Sequence, residues 1–301
     1  MKKLLFKVFL LSILYFNISY GQAGVSLTSL PPGEANNYVK PLSTFLGVYF
    51  NSGGYHTAHV PSTFGFRLSI IGMYTFIPQS QQSFTSNPPA GYTGGETATF
   101  FGGQGGVTLG PQGFAVYPFG FDASSIPSGI IQLSGSIAGA ELLLRYFPKL
   151  KFNDVESGLW GIGLKYSISQ FIPASPVDIA VQVLYNNLTF DYVGDNVQNT
   201  FKSESKNFAI NAHASKTFSG IFTLYGGLQY ESSTLDIEYF FRDPSGLYPD
   251  ISDTIQKTEV DGENNFRVTA GGAVKLAAIV FNVDFNVTSQ FTIVGGISLE
   301  L

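Results

Sequence analysis

The chain contains no cysteine, so disulfides, thiolate metal sites and a lipid-modified N-terminal cysteine are excluded. Only 12% of its 301 residues are charged, about half the proportion usual in globular proteins. Basic residues are scarce too, 16 against 21 acidic, which argues against nucleic acid as a partner because that needs a basic footprint. After the first 21 residues no stretch approaches the roughly 20 consecutive apolar residues of a transmembrane helix. There are three histidines and one tryptophan, whereas 15% of the chain is aromatic and glycine is abundant.

Residues 1–21 have the make-up of a secretory signal. Lys2, Lys3 and Lys7 precede an apolar run from Val8 to Phe16, and Ser19-Tyr20-Gly21 offers a small-x-small cleavage site. Without those three lysines the chain is still more acidic.

The C-terminal third shows strict period-two alternation over 264–275, 276–287 and 289–301. In the middle segment Ile279, Phe281, Val283, Phe285 and Val287 share one face, opposite Asn282, Asp284 and Asn286. Such alternation gives strands with one apolar and one polar face. Similar strands are expected over 63–77, 129–147, 157–171, 179–185, 208–214 and 222–230, and one more within 96–120. A soluble sandwich and a transmembrane barrel both alternate, and loop length separates them. Counted back from the last strand, the connections at 275–276, 218–220 and 172–176 are short. Those at 242–262, 193–202 and 148–156 are long and polar, while 286–289 is short. Short turns on one side and long loops on the other are expected of outer-membrane barrels. The fold class predicted is therefore all-β, an antiparallel transmembrane barrel of about ten strands over 61–301. Twelve or fourteen would follow if 79–128 hid further hairpins.

Ahead of the barrel, residues 22–60 form a separate segment. Tyr38, Leu42, Phe45, Leu46 and Tyr49 recur at helical spacing, predicting a helix over 34–51 with Asn37 at its start, Pro41 near the first turn and Gly53-Gly54 at its end. It would plug the lumen or lie on the periplasmic rim.

Residues 38–59, YVKPLSTFLGVYFNSGGYHTAH, and 141–185, with LRYFP followed by LWGIGLK and an apolar strand, resemble an uncharacterised family of predicted outer-membrane proteins from Bacteroidota and related bacteria. A looser similarity, confined to the N-terminal segment, is to fatty-acid-transporter barrels. The resemblance implies fold and location rather than activity.

The polar faces supply the candidate lumen residues: Arg67, Glu141, Arg145, Lys165, His213, Glu231, Arg267, Asp284 and Glu300. Glu141, Arg145 and Lys165 form one inward set, and Arg267, Asp284 and Glu300 a second on the three closing strands. They read either as a constriction that selects solutes or as ion pairs filling a narrow barrel. His56 and His59 lack a nearby carboxylate and read as ordinary loop residues. His213 and Ser215 share a face, but no orienting acid or oxyanion hole accompanies them. Neither catalysis, cofactor nor metal is expected. The expected location is the outer membrane, with its lipid and the barrel-assembly machinery as partners. The expected function is a narrow or gated channel for a small amphipathic or hydrophobic solute, the alternative being a structural or surface-interaction barrel.

Overall fold

The computed structural model describes residues 27–301 apart from 112, 153, 194–199, 244 and 245; the expected signal segment lies outside the described residues. Helix α1 (Pro32–Phe50) comes first. The strands are β1 (Gly65–Phe76), β2 (Ser83–Thr85), β3 (Glu96–Ala98), β4 (Val107–Gly110), β5 (Gly113–Val116), β6 (Ser125–Ile137), β7 (Ala140–Phe152), β8 (Val155–Ser167), β9 (Asp178–Val193), β10 (Thr200–Phe218), β11 (Phe222–Phe241), β12 (Thr254–Asp261), β13 (Phe266–Leu276), β14 (Ile279–Val287) and β15 (Thr292–Glu300).

The wall is a closed antiparallel barrel of ten strands. β1 pairs with β6 on one side and with β15 on the other, and consecutive pairings join the rest. β12 and β13 lie end to end along β11, so they form one wall strand broken at residues 262–265. The expected count holds, but two of its members differ from the expectation. Residues 129–147 are two strands, because Ala138 and Gly139 both adopt positive φ (52° and 77°) and make a tight turn. The 96–120 region adds nothing to the wall. Its short strands β3, β4 and β5 belong to two small hairpins within the long 77–124 connection.

The barrel has a turn end and a loop end. Residues 138–139, 168–177, 219–221 and 277–278 lie at the first, together with the start of β1 and the end of β15; the 77–124, 242–253 and 288–291 connections lie at the second. The expected sorting holds for 77–124 and 242–253, but the expected long loop 148–156 is corrected, since β7 runs to Phe152 and β8 begins at Val155, and the 168–177 connection at the turn end is longer than 288–291 at the loop end. β10 and β11 run for 19 and 20 residues, nearly twice the ~9–11 needed to cross a bilayer.

The extra length is built on a reversed pattern. In the lower part of β11, Phe222, Leu224, Leu228 and Tyr230 face outward, while Gln229, Glu231 and Ser233 are buried inside. Above Ser233 the polarity inverts: Leu235, Ile237, Tyr239 and Phe241 point inward, and Thr234, Asp236 and Glu238 point outward. β9 and β10 invert in the same way, with Leu188, Phe190 and Phe201 inside and Asp191, Lys202, Glu204 and Lys206 outside. The outward charges pair across strands, Lys202 and Lys257 with Glu238 (3.2 and 2.8 Å) and Lys206 with Asp236 (2.7 Å). Below the inversion the wall is built for lipid outside; above it, for water outside and an apolar core inside.

Helix α1 supplies that core. It starts two residues before the expected range and five before Asn37, because Pro32 occupies the first helical position, where its missing N–H and fixed φ cost nothing. Asn37 is therefore inside the helix, and Pro41 lies well past the first turn. The helix lies within the barrel, buried on all sides from Pro41 to Phe50. Tyr38, Phe45, Phe100, Phe101, Phe190, Phe201 and Tyr239 form one apolar cluster around it. The 77–124 connection closes over its upper end: the Tyr38 hydroxyl donates to Phe119 O (2.9 Å) and Phe100 N–H to Tyr38 O (2.8 Å).

At the break between β12 and β13 the wall bends in against the helix. Asn264, fully buried, bonds to Ser233 and Glu231, and these side chains occupy the space that a Cβ on Gly47 would need. Gly47→Leu is expected to destabilise the plugged state by about 1–3 kcal/mol, the cost of overpacking, seen as a lower urea midpoint in lipid with the barrel still formed.

Glu34, at the loop end of α1, accepts a hydrogen bond from Asn87 N–H (2.5 Å). Burial pushes its carboxyl above the ordinary range, against the opposing pull of the Asn87 N–H and the Tyr117 hydroxyl. A raised carboxyl contributes stability that is complete below its unfolded value of 4.5 and is lost as pH rises through the folded one. Protease protection of the 77–124 connection should therefore fall between pH 4 and pH 8 in the native protein and stay level in Glu34→Gln. An equal fall in both would assign the trend to other groups.

Candidate functional site

All nine candidate lumen residues project inside the barrel, seven of them in two layers that differ from the sets expected, with His213 and Asp284 between the layers. The lower layer lies near the turn end. Glu141 stands directly across from Lys165 on β8 and bonds to its ammonium at 3.0 Å, and it also accepts from Arg67. Glu300 belongs to this layer and not with Arg267 and Asp284, because barrel closure pairs β15 with β1 and sets Arg67 opposite Glu300. Glu300 takes Lys275 at 2.8 Å, Arg67 at 3.8 Å and the His56 ring nitrogen at 3.0 Å. His56 is thus buried in the lumen, and the expectation of an ordinary loop residue is corrected.

Above this layer the N-terminal segment passes between the walls. The Tyr55 ring stacks on His213 at 3.8 Å between centroids, with 10° between the planes. His213 Nδ1 lies 2.8 Å from Asn211 Oδ1, and Ser215 Oγ accepts the Ala58 N–H at 2.9 Å. Each side chain therefore has a neighbour in the packing of the segment. Asp284 accepts from the Tyr225 hydroxyl (2.8 Å) and from Asn286 (2.6 Å).

The upper layer holds the end of α1. Arg145, fully buried on β7, donates to Phe50 O (2.5 Å) and Ser52 O (2.9 Å), and its remaining donors meet Gln132 and Asn186. From the opposite wall Arg267 donates to Val48 O (3.0 Å) and to the Ser52 hydroxyl, while its other contact is Glu231 at 2.9 Å. The last carbonyls of a helix lack intrahelical partners and carry partial negative charge. Two guanidinium groups from opposite walls satisfy both needs. Gln229 and Asn186 complete the collar through Asn51 O and Phe50 O.

These amides were outside the sequence-based set. Asn186 and Gln229 share the inward parity of their strands, and that parity was the available signal; Gln132 has the opposite parity to Glu141 and Arg145 because the turn at 138–139 separates their strands, and Asn264 lies in the break between β12 and β13, where no strand parity applies. Two clefts of about 320 and 310 Å³ open at the turn end on either side of residues 57–59. Above them the lumen is occupied by the collar and α1. Among the described residues no group of three or more His, Cys, Asp or Glu is placed to hold a metal.

No curated protein matches the sequence. Among solved structures the chain is similar to the outer membrane protease OmpT of Escherichia coli, at 9% identity and a TM-score of 0.34 over 80% of this chain and 97% of that one. It is also similar to the translocator domain of the autotransporter NalP from Neisseria meningitidis, at 8% identity and a TM-score of 0.31 over 88% and 99%. A third likeness is to the β domain of the Bordetella autotransporter BrkA, at 8% identity and a TM-score of 0.32 over 78% and 98%. Likenesses of this size carry no information about activity. The family of unknown function DUF6588 matches residues 1–301, and the protein belongs to that family.

Proposed function

We propose that this protein is a closed outer-membrane barrel that anchors a structure on the cell surface, and that it conducts no solute while α1 is in place. The observation that carries this reading is the double-arginine grip on the end of a helix buried along the whole of its lower half. The loop end is the external one, by the rule that external connections are the longer. It bears the extended strands, the 77–124 connection and the apolar face of Val107, Leu109, Phe114 and Val116, all exposed. Export through a cleaved signal at residues 1–21 belongs to the same proposal, as does kinship with barrels of Bacteroidota and, more loosely, fatty-acid transporters. The reading assigns no catalytic step. Transport is the second reading, and it requires α1 to leave. It is favoured by Arg145, which has the helix carbonyls as partners in place of a carboxylate and would be freed toward the lumen on departure.

In planar bilayers the refolded protein should be silent, and a variant lacking residues 27–60 should show discrete steps. Steady conductance from the intact chain would overturn the closed-barrel reading. Arg145→Met leaves Ser52 O without its donor and Phe50 O with Asn186 alone, and is expected to cost about 2–4 kcal/mol in the lipid-inserted state. Arg145→Lys, which keeps the charge and loses the fork, should lie between that variant and the native protein. Urea midpoints measured in one lipid would rank the three.

A further inference from the structure

The N-terminal segment crosses the barrel once, in one direction. Its beginning lies at the loop end, where Arg242 N–H donates to Thr28 O (2.7 Å) and the Tyr239 hydroxyl to Leu30 O (2.9 Å). Tyr239 is at the far end of β11 and Arg242 directly follows that strand. The segment leaves at the turn end, where the Ala138 and Gly139 N–H groups meet the carbonyls of Ser62 and Pro61 at 3.0 and 3.1 Å. β1 begins there. A plug inserted from the periplasm and returning to it would enter and leave by the same end. This segment does not double back.

Two physical constraints hold the direction. Ten strands spaced about 4.8 Å apart and tilted near 40° enclose a space roughly 20 Å across between backbones. A helix with its side chains takes about 10–12 Å of that, leaving room for one pass of chain beside the inward side chains. The collar also fixes polarity: Arg145 and Arg267 meet carbonyls at the inner end of α1, and a reversed helix would bring its positive N–H end against two buried cations.

We propose that the protein threads its own N-terminal segment through the outer membrane and presents the Leu27 end of that segment at the cell surface, with the lumen as conduit and α1 as seal. The inference rests on the external assignment of the loop end made above, and the test separates the two. The native chain has no cysteine, so single cysteines report without background. They are placed at Gly33, exposed and with open space around a Cβ; at Thr93, exposed in the 77–124 connection; and at His59, exposed at the turn end. Intact cells are treated with a membrane-impermeant maleimide, and in parallel an epitope is inserted between Ala23 and Gly24 and probed with antibody.

The expected result is full labelling of the Gly33 and Thr93 variants, at least tenfold weaker labelling of the His59 variant until the cells are opened, and antibody binding to intact cells. Labelling at Thr93 with none at Gly33 would overturn the N-terminal inference and leave the orientation standing. Labelling at His59 with none at Thr93 would overturn the orientation itself. If the epitope disturbs export, the Gly33 variant alone decides.

Discussion

Two buried guanidinium groups meeting the carbonyl end of one helix are the interaction on which the arrangement depends. Arg145 and Arg267 sit on opposite walls, and neither could be buried there without a partner, because an uncompensated ion in such a site costs several kcal/mol. Arg267 shares Glu231, whereas Arg145 relies on the helix carbonyls and on neutral amides. Removing α1 would therefore leave a strong uncompensated charge halfway down the barrel. Helix and wall are complementary in the strict sense that each leaves the other electrostatically incomplete.

The interior consequently resembles two different proteins stacked end on end. Near the turn end it is a lattice of charged and polar side chains, Glu141, Lys165, Arg67, Glu300 and His56, with the N-terminal segment woven through it. Near the loop end it is an apolar core in which aromatic side chains from the wall, the long connection and α1 pack together. The collar marks the boundary. This stratification explains why the lumen charges form local pairs and do not line an aqueous path: chain occupies the space that water would fill.

Much of this was legible in the sequence, because lipid-facing alternation is a local pattern. Ile279 to Val287 shows it, as does the one-sided sorting of connections. The lumen residues followed from the same parity. Two parts were not legible. Glu300 was grouped with Arg267 and Asp284 because they are sequence neighbours, whereas closure onto β1 is a property of the whole ring. The expected strands stop at 185 and 230, short of the upper walls, because Asn187-Leu188-Thr189-Phe190 and Ser233-Thr234-Leu235-Asp236 still alternate, but in the opposite phase. Following one phase along the chain makes such a segment look irregular. The split at Ala138-Gly139 was hidden for a simpler reason: a two-residue turn leaves the alternation almost undisturbed.

The shared change of phase along β9, β10 and β11 gives the wall a built-in waterline. The register that joins Asn187, Lys206 and Thr234 fixes it as a contour around one side of the barrel, since neighbouring strands change character at matched positions. A drift of this protein in sequence length would be constrained by that contour. Gaining or losing two residues above it merely raises or lowers a parapet. A single residue gained within a strand at the contour would turn the parapet inside out, bringing Leu235, Ile237 and Tyr239 to water and Asp236 and Glu238 into the packed interior.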